Sequence, residues 1–207
     1  MKISKSIEFR NFKKIKLKKK ILDILDDLKK EQNQILQSFG KAYKNSYSQN
    51  FVRKINKFKN INLIGIGGSI LGSKAIYSFL KQKINKNFNF IDNLGHFNSS
   101  KKKEILNLLV SKSGNTMETI ANLNFYIHER QKNIIITEKK KNFLNILARK
   151  LKAEVISHNN FIGGRYSVLS EVGMLPADLM GLNHLKFRQF NNLVKNKKFI
   201  NTLISNV

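Results

Sequence analysis

The chain has 207 residues and no cysteine, which is enough for one α/β domain with helical additions but excludes disulfides, thiolate metal sites and cysteine nucleophiles. Its formal net charge of +26 would by itself predict attraction to polyanions such as nucleic acid. The lysines are spread along the whole chain beside abundant Asn and Ile, however, so we expect no dedicated nucleic-acid binding.

The sequence also argues against a membrane span and a helical metal site. It has no uninterrupted apolar stretch of about eighteen residues, and the basic segment Met1 to Lys20 lacks the apolar core of a secretory signal. We therefore expect a cytoplasmic protein without membrane contact. No two histidines are four residues apart, so we expect no bound metal. Surface or packing roles are expected for the four histidines, which are His96, His128, His158 and His184.

Helical and β-strand patterns follow one another along the chain. Apolar residues recur near helical spacing over 17–58, with Gly40 as an interruption. From residue 61, short β-branched runs alternate with amphipathic segments, which indicates βαβ units and a parallel sheet. The predicted strands are Ile61–Ile66, Asn87–Ile91, Ile105–Val110, Asn133–Thr137 and Ala153–Ile156. They predict a doubly wound, three-layer α/β/α sandwich around a five-stranded parallel sheet, preceded and followed by helices.

Helices are expected between the strands, near Ser69–Gln82, Thr116–Arg130 and Lys141–Leu151. Pro176 is the only proline and is expected to open a helical turn. The resulting domain prediction is an N-terminal arm with helices over 1–58, an α/β domain over 59–182, and a helical tail over 183–207 that leads into a second half.

Two segments rich in small or hydroxyl side chains follow predicted strands, at the sheet edge where open α/β folds bind ligands. Gly65 to Gly72 carries four glycines that let the backbone approach an anion, although a tight turn alone would explain them. Ser111 to Thr119 carries four hydroxyls at the start of a helix. Asn115 as N-cap with Glu118 three residues later would explain part of this segment as a capping pair.

A third segment, Phe161 to Ser170, places two glycines directly before Arg165. A guanidinium is permanently charged and can donate several hydrogen bonds to a developing oxyanion. A surface arginine on a glycine turn would give the same tripeptide.

Taken in chain order, the segments GIGGSILG, SKSGNTMET and GGRYSVLSEVGMLP resemble the three motifs of the first sugar isomerase (SIS) domain in the glucose-6-phosphate isomerase family. The resemblance covers about residues 60 to 180. It implies isomerisation of glucose 6-phosphate to fructose 6-phosphate through a cis-enediolate, in glycolysis and gluconeogenesis, by a homodimer that needs no metal or organic cofactor.

The resemblance also implies roles for individual residues. Arg165 matches the arginine beside C1 and C2 of the sugar, where it would stabilise the enediolate oxygen. Glu118 matches a glutamate near the family's ring-opening histidine and is expected to have a supporting role. The residues implied to bind the sugar phosphate are the hydroxyls of Ser69, Ser111, Ser113 and Thr116 and the backbone donors of Gly68 and Lys112.

Some of the family's catalytic groups have no match in this sequence. No segment resembles those that carry the general-base Glu, the ring-opening His or the late Lys, so the chain is expected to be an N-terminal, phosphate-binding portion that is inactive alone. Glu171 lies near Arg165 in sequence, but on a predicted helix in a region that the family uses for packing. The alternative is a stand-alone SIS domain that binds a phosphosugar and regulates a partner. Such a module has no need of Gly163, Gly164 and Arg165, which favour the enzyme.

Overall fold

A computed structural model of the chain describes residues 8, 10, 19–30, 34–95, 104–188 and 196–205. The chain divides into two compact units, one formed by 43–184 and the other by 1–42 with 185–207. No helix within the described ranges is long and apolar enough to cross a membrane. The helices are α1 (Lys19–Lys30), α2 (Gln34–Ser38), α3 (Gln49–Ile55), α4 (Leu71–Leu80), α5 (Met117–Tyr126), α6 (Phe143–Leu151), α7 (Glu171–Leu179), α8 (His184–Phe187) and α9 (Lys197–Ile204).

A five-stranded parallel sheet forms the centre of the unit 43–184, as the sequence predicts. Its strand order is β2-β1-β3-β4-β5, and every neighbouring pair is parallel. The strands are β1 (Asn60–Ile64), β2 (Asn87–Ile91), β3 (Ile105–Val110), β4 (Lys132–Thr137) and β5 (Glu154–Ser157). The predicted α/β architecture is confirmed, with each strand within two residues of its expected bounds.

The central strands are buried on both faces, because helices flank the sheet. All six residues of β3 are buried, which explains why its sequence is a nearly continuous apolar run rather than an alternating one. One face packs against α5 and α6 through an apolar cluster of Ile64, Ile91, Leu109, Leu123, Tyr126, Ile135, Leu144 and Ala148. Burial of this cluster supplies the main driving force for placing the two helices on the sheet.

A ladder of asparagine side chains crosses the same face in strand register. Asn89 donates to Asn62 (3.2 Å), Asn62 donates to Asn107 (2.9 Å), and Asn107 donates to Asn133 (2.9 Å). Each of these pairs is also a pair of aligned residues on adjacent strands. Asn107 is fully buried and donates in addition to Gln131 Oε1 at 2.8 Å. Hydrogen bonding of the buried amides therefore requires this strand alignment.

Two helix predictions need correction. Residues 41–48 are not helical, because side chains in this stretch bind α7: Ser46 donates to Glu171, and Tyr47 donates to Asp178 at 2.8 Å. The helix predicted over Thr116–Arg130 ends at Tyr126. The predicted helical tail contains α8 and α9, while residues 189–195 lie outside the described residues.

Pro176 was expected to open a helical turn but lies inside α7. Proline has no N–H, so the carbonyl of Val172, four residues earlier, loses its usual helical donor. Ser73 Oγ on α4 donates to this carbonyl at 3.2 Å and is itself buried. A hydrogen bond from another helix thus makes the interior proline tolerable.

Replacing Asn107 by Leu tests the asparagine ladder. The substitution keeps the side-chain volume similar but leaves buried amide groups without partners, so we expect a loss of about 2–3 kcal/mol in the free energy of unfolding. Asn87→Ala is the control, since its bond to Asn60 is exposed and should contribute less than about 0.5 kcal/mol. Urea unfolding of both variants measures the difference, and equal losses would contradict a special role for the buried ladder.

Candidate functional site

The loops after β1 and β3 lie side by side at the carboxyl edge of the sheet. A Cβ atom on Gly65 would lie 2.8 Å from the carbonyl oxygen of Val110, so only glycine allows this approach. The first loop continues through a 3₁₀ turn, Gly67–Ser69, into α4. The second runs from Ser111 into α5. The glycine-rich segment and the hydroxyl-rich segment therefore start next to each other at this edge of the sheet.

The segment that carries Arg165 packs onto the first loop by direct backbone contact. A Cβ on Gly68 would overlap the backbone carbonyl of Gly164, so no side chain is permitted there. Ser167 Oγ donates to the Gly68 carbonyl at 3.0 Å and to the Gly164 carbonyl at 2.8 Å. These contacts bring all three predicted segments to one place.

Three hydroxyl groups converge in the second loop. Thr116 Oγ1 lies 2.9 Å from Ser111 Oγ and 3.4 Å from Ser113 Oγ. Ser111 is only 2% exposed, and its Oγ also accepts from the N–H of Gly114 at 3.2 Å. A left-handed conformation at Gly114, φ +68°, closes the loop. The structure thus places the Thr116 hydroxyl within hydrogen-bond distance of the Ser111 and Ser113 hydroxyls, and all three belong to predicted phosphate ligands.

The N-terminus of α6 donates hydrogen bonds to the same loop. The N–H of Leu144 donates to the Gly114 carbonyl (3.1 Å), and the N–H of Phe143 donates to Asn115 Oδ1 (2.8 Å). Asn115 therefore does not cap α5, although the sequence predicts that it does; the N-cap position is Thr116, whose side chain makes no capping bond. The asparagine satisfies the free N–H groups of the neighbouring helix instead.

Backbone acceptors of the loop are bonded to neighbouring elements, while several of its donors are free. The Lys112 carbonyl accepts from Thr137 Oγ1 and from the N–H of Glu138, both at 3.2 Å. Within the described part of the chain, the N–H groups of Lys112, Ser113 and Thr116 have no hydrogen-bond partner. Free donors beside hydroxyls at the start of α5 form an arrangement suited to an anion.

The cationic side chains near the loop differ in their pairing. Lys112 Nζ lies 3.6 Å from Glu138, which also contacts Lys140 at 2.6 Å. Burial alone would raise the pKa of the Glu138 carboxyl, but the hydrogen bonds and positive charges of Lys140 and Lys112 lower it below 4.5. The side chain of Arg165 is exposed and has no hydrogen bond or ion pair among the described residues. Its guanidinium is available to a ligand.

Two other predicted residues lie at the edge of this arrangement. Ser69 ends the 3₁₀ turn, and its hydroxyl has no partner in the residues that the structure describes. Glu118 is half-buried in the first turn of α5, and its carboxylate has no hydrogen-bond partner in the described ranges. Its supporting role remains a prediction.

A buried polar network beside the arginine segment was not expected from the sequence. Glu171 is fully buried; it accepts from Tyr43 Oη at 2.9 Å and from Ser46 Oγ at 2.9 Å, and its Oε2 lies 3.5 Å from His158 Nδ1. The signal that could have revealed it is a carboxylate inside the otherwise apolar run VLSEVGMLP, since a buried charge requires partners.

The partners of Glu171 stabilise its ionised form. Burial alone would raise the pKa of the carboxyl, but the nearby His158 ring and hydrogen bonds from its own backbone N–H, from Tyr43 and from Ser46 together lower it below its ordinary value. The position of Glu171 at the first residue of α7 adds the favourable field of a helix N-terminus.

Comparison with known proteins agrees with this geometry. The family model described as "Phosphoglucose isomerase" matches residues 7–205. The chain belongs to the phosphoglucose isomerase family. Among its relatives, the glucose-6-phosphate isomerase of Borreliella afzelii is 38% identical over 178 residues, covering 74% of this chain and 33% of that protein. The one from Methanocaldococcus jannaschii is 30% identical over 166 residues, covering 72% of this chain and 40% of the relative.

The chain therefore spans between a third and two fifths of the length of these phosphoglucose isomerase relatives. Among solved structures, a hypothetical protein from Thermus thermophilus superimposes with a TM-score of 0.65 at 22% identity, covering 88% of this chain and 49% of that one. This similarity supports the fold.

Gly68→Ala tests the backbone contact between the first and third segments. The added Cβ cannot fit against Gly164, so we expect a loss of about 2 kcal/mol or more in the free energy of unfolding. Gly163→Ala is the matched control, because its Cβ would meet only Tyr166 Cδ2 at an ordinary 3.7 Å and its φ is −70°. Denaturant unfolding compares them; a Gly68→Ala protein as stable as Gly163→Ala would refute the contact.

The lowered pKa of Glu171 predicts a pH dependence of stability. A carboxyl with a depressed folded-state pKa contributes stability above its unfolded pKa, and this contribution is lost as the pH falls through the folded value. Between about pH 5 and pH 3, the unfolding free energy should fall less steeply in Glu171→Gln than in the wild type. Glu154→Gln removes the same charge at an exposed position and should retain the wild-type slope.

Proposed function

We propose that the chain supplies the phosphate-binding part of a glucose-6-phosphate isomerase, which interconverts glucose 6-phosphate and fructose 6-phosphate. The observation that carries the proposal is the convergence of the Ser111, Ser113 and Thr116 hydroxyls beside free backbone N–H groups, next to the segment that bears Arg165, which is unpaired within the described ranges. The family membership supports the reaction, and the geometry supports the site.

The hydroxyl-rich loop suits a sugar phosphate that must enter and leave. Neutral donors can hold phosphate oxygens without a permanent salt bridge, and Lys112 already shares its charge with Glu138. The N–H groups of Gly68 and Lys112 and the hydroxyl of Ser69 complete the proposed phosphate ligands. Phosphate binding would place the sugar carbons at a fixed distance from the loop.

Arg165 is proposed to act at the other end of the substrate. Isomerisation moves a proton from C2 to C1 and passes through a cis-enediolate, whose oxygen carries negative charge. A guanidinium held beside that oxygen stabilises the charge as it develops. Glu118 is proposed to support ring opening. The base that takes the proton from C2 is not assigned to a residue of this chain.

The stand-alone phosphosugar regulator is the less favoured reading, since the family match extends over residues 7–205 and the chain retains Gly163, Gly164 and Arg165. We further propose that the complete enzyme is a cytoplasmic homodimer. The absence of cysteine is compatible with a reducing compartment, and the family resemblance supports the dimer.

A binding titration tests the proposed site. The chain should bind fructose 6-phosphate and 5-phosphoarabinonate, an enediolate mimic, in isothermal titration calorimetry. Ser111→Ala/Thr116→Ala should weaken both ligands by about tenfold, because each lost hydrogen bond contributes about 0.5–1.5 kcal/mol. Arg165→Ala should weaken 5-phosphoarabinonate while leaving inorganic phosphate unchanged.

Ser78→Ala is the control for the loss of a hydroxyl, since Ser78 is exposed near the end of α4 and should bind like the wild type. A coupled isomerase assay of the same samples should show no turnover, because a missing general base typically costs about 10²- to 10⁴-fold. A folded chain that binds neither ligand would refute the sugar-phosphate site, and turnover would show that the chain contains a base.

A further inference from the structure

The network around Glu171 connects directly to the segment that carries Arg165. His158 Nε2 lies 3.1 Å from the carbonyl oxygen of Ile162, and the N–H of Ile162 donates to the Asn159 carbonyl at 3.1 Å. The N–H of His158 extends the sheet by donating to the Thr137 carbonyl at 2.8 Å. The turn from 158 to 162 is therefore closed by hydrogen bonds, and it leads straight into Gly163, Gly164 and Arg165.

Hydrogen-bond geometry fixes one proton of the His158 ring. A carbonyl oxygen can only accept, so Nε2 must carry a proton. Nδ1 is buried, has no hydrogen bond among the described residues, and faces the Glu171 carboxylate at 3.5 Å. An unprotonated Nδ1 would point a lone pair at this carboxylate, whereas a protonated Nδ1 is attracted to it. Within the described residues, only the proton on Nε2 is set by a hydrogen bond, and Nδ1 is left facing the carboxylate.

The opposite side of the Glu171 carboxylate is anchored as well. Ser46 donates to Oε1 through its N–H (3.1 Å) and its hydroxyl (2.9 Å), and Tyr43 Oη donates to the same carboxylate. Tyr43 Oη in turn accepts from Asn159 Nδ2 at 2.8 Å, which returns the network to the 158–162 turn. One buried carboxylate thus joins the 43–46 segment, the turn before Arg165 and the start of α7.

Arg165 lies between two of these anchors. The turn bonded to His158 precedes it, and α7, which begins at Glu171, follows it. Its own side chain is exposed and has no partner in the described ranges, so the contacts that hold this segment are those of its neighbours along the chain. We infer that His158 and Glu171 are positioning residues, a buried pair that holds the backbone of Arg165 in place for the anionic carbon end of a sugar phosphate. This inference rests on the proposed function.

The chain offers a matched control on the same helix. His184 Nδ1 lies 2.8 Å from Asp178 Oδ1, and Tyr47 Oη donates to Asp178 Oδ2 at 2.8 Å. This second set has the same composition, a histidine, a carboxylate and a tyrosine, but it is placed at the far end of α7, away from Arg165. Breaking it should perturb packing to a similar extent without displacing the arginine.

A double-mutant cycle with two ligands tests the inference on the full 207-residue chain. His158→Ala and Glu171→Gln should each weaken 5-phosphoarabinonate by about tenfold, the usual scale for a misplaced charge-assisted contact, and leave inorganic phosphate within about twofold. In an Arg165→Ala background, neither change should weaken 5-phosphoarabinonate further. His184→Ala should bind both ligands like the wild type.

Nitrogen-15 NMR of the histidine rings gives a readout that does not depend on any ligand. The His158 ring signals should shift in Glu171→Gln and stay as in the wild type in His184→Ala, because Glu171 lies 3.5 Å from His158 Nδ1. His158 signals that do not respond to Glu171→Gln would overturn the contact between the two side chains. Because Glu171→Gln is the milder change, it keeps the test valid if His158→Ala does not fold.

Two binding outcomes would overturn the positioning role. Equal weakening of both ligands by His158→Ala and Glu171→Gln would indicate a general packing defect, as would a matching loss in His184→Ala. Additive losses with Arg165→Ala would show that the pair acts independently of the arginine. If the wild-type chain binds neither ligand, the result counts against the proposed function instead. This outcome is seen in the wild-type titration alone, so it can be told apart from failure of the positioning role.

Discussion

The alignment of four parallel strands by a ladder of asparagines is the constraint on which the rest of the structure depends. Apolar side chains on a buried sheet pack comparably well in several alignments, but the amides of Asn62, Asn107 and Asn133 can bond one another in only one. A shift by one residue would turn each asparagine to the opposite face. It would also separate Gly65 from the end of β3, where the two loops now touch. The strand interior thereby determines the geometry of the loops.

The loop after β3 presents hydrogen-bond donors at the edge of this aligned sheet. Two carbonyls of the second loop are bonded to neighbouring elements, that of Gly114 to α6 and that of Lys112 to β4 and the residue after it. A loop whose acceptors face inward leaves its N–H groups and hydroxyls facing out. The anion binding proposed for this loop would come from hydrogen-bond donors that are left free because the carbonyls are bonded elsewhere, and it would need little net charge. The abundant lysines of the chain are therefore not required for the site.

Much of the fold and the site could be predicted, because the strong signals are local. Buried strands are marked by apolar runs such as Ile105–Val110, and two of the three loops by their small residues directly after strands. The errors arose where a tertiary partner outweighs a local preference. Asparagine commonly caps the helix that follows it, but Asn115 accepts a hydrogen bond from the N-terminus of α6 instead. Glu171 resembles an ordinary acidic residue in the first turn of a helix until its partners from residues 43–46 and 158 are known. Such partners are distant in sequence, so no local pattern reveals them.

The bond between Ser73 and Val172 has a consequence for how the chain folds. It joins residues 99 positions apart, and it supplies the donor that Pro176 removes from α7. An isolated α7 would expose an unbonded carbonyl in its first turn, so the hydrogen bonding of the helix is complete only when α4 is docked against it. We therefore expect the two helices to open as one cooperative unit. The arginine segment, which lies immediately before α7, should lose its order together with that unit.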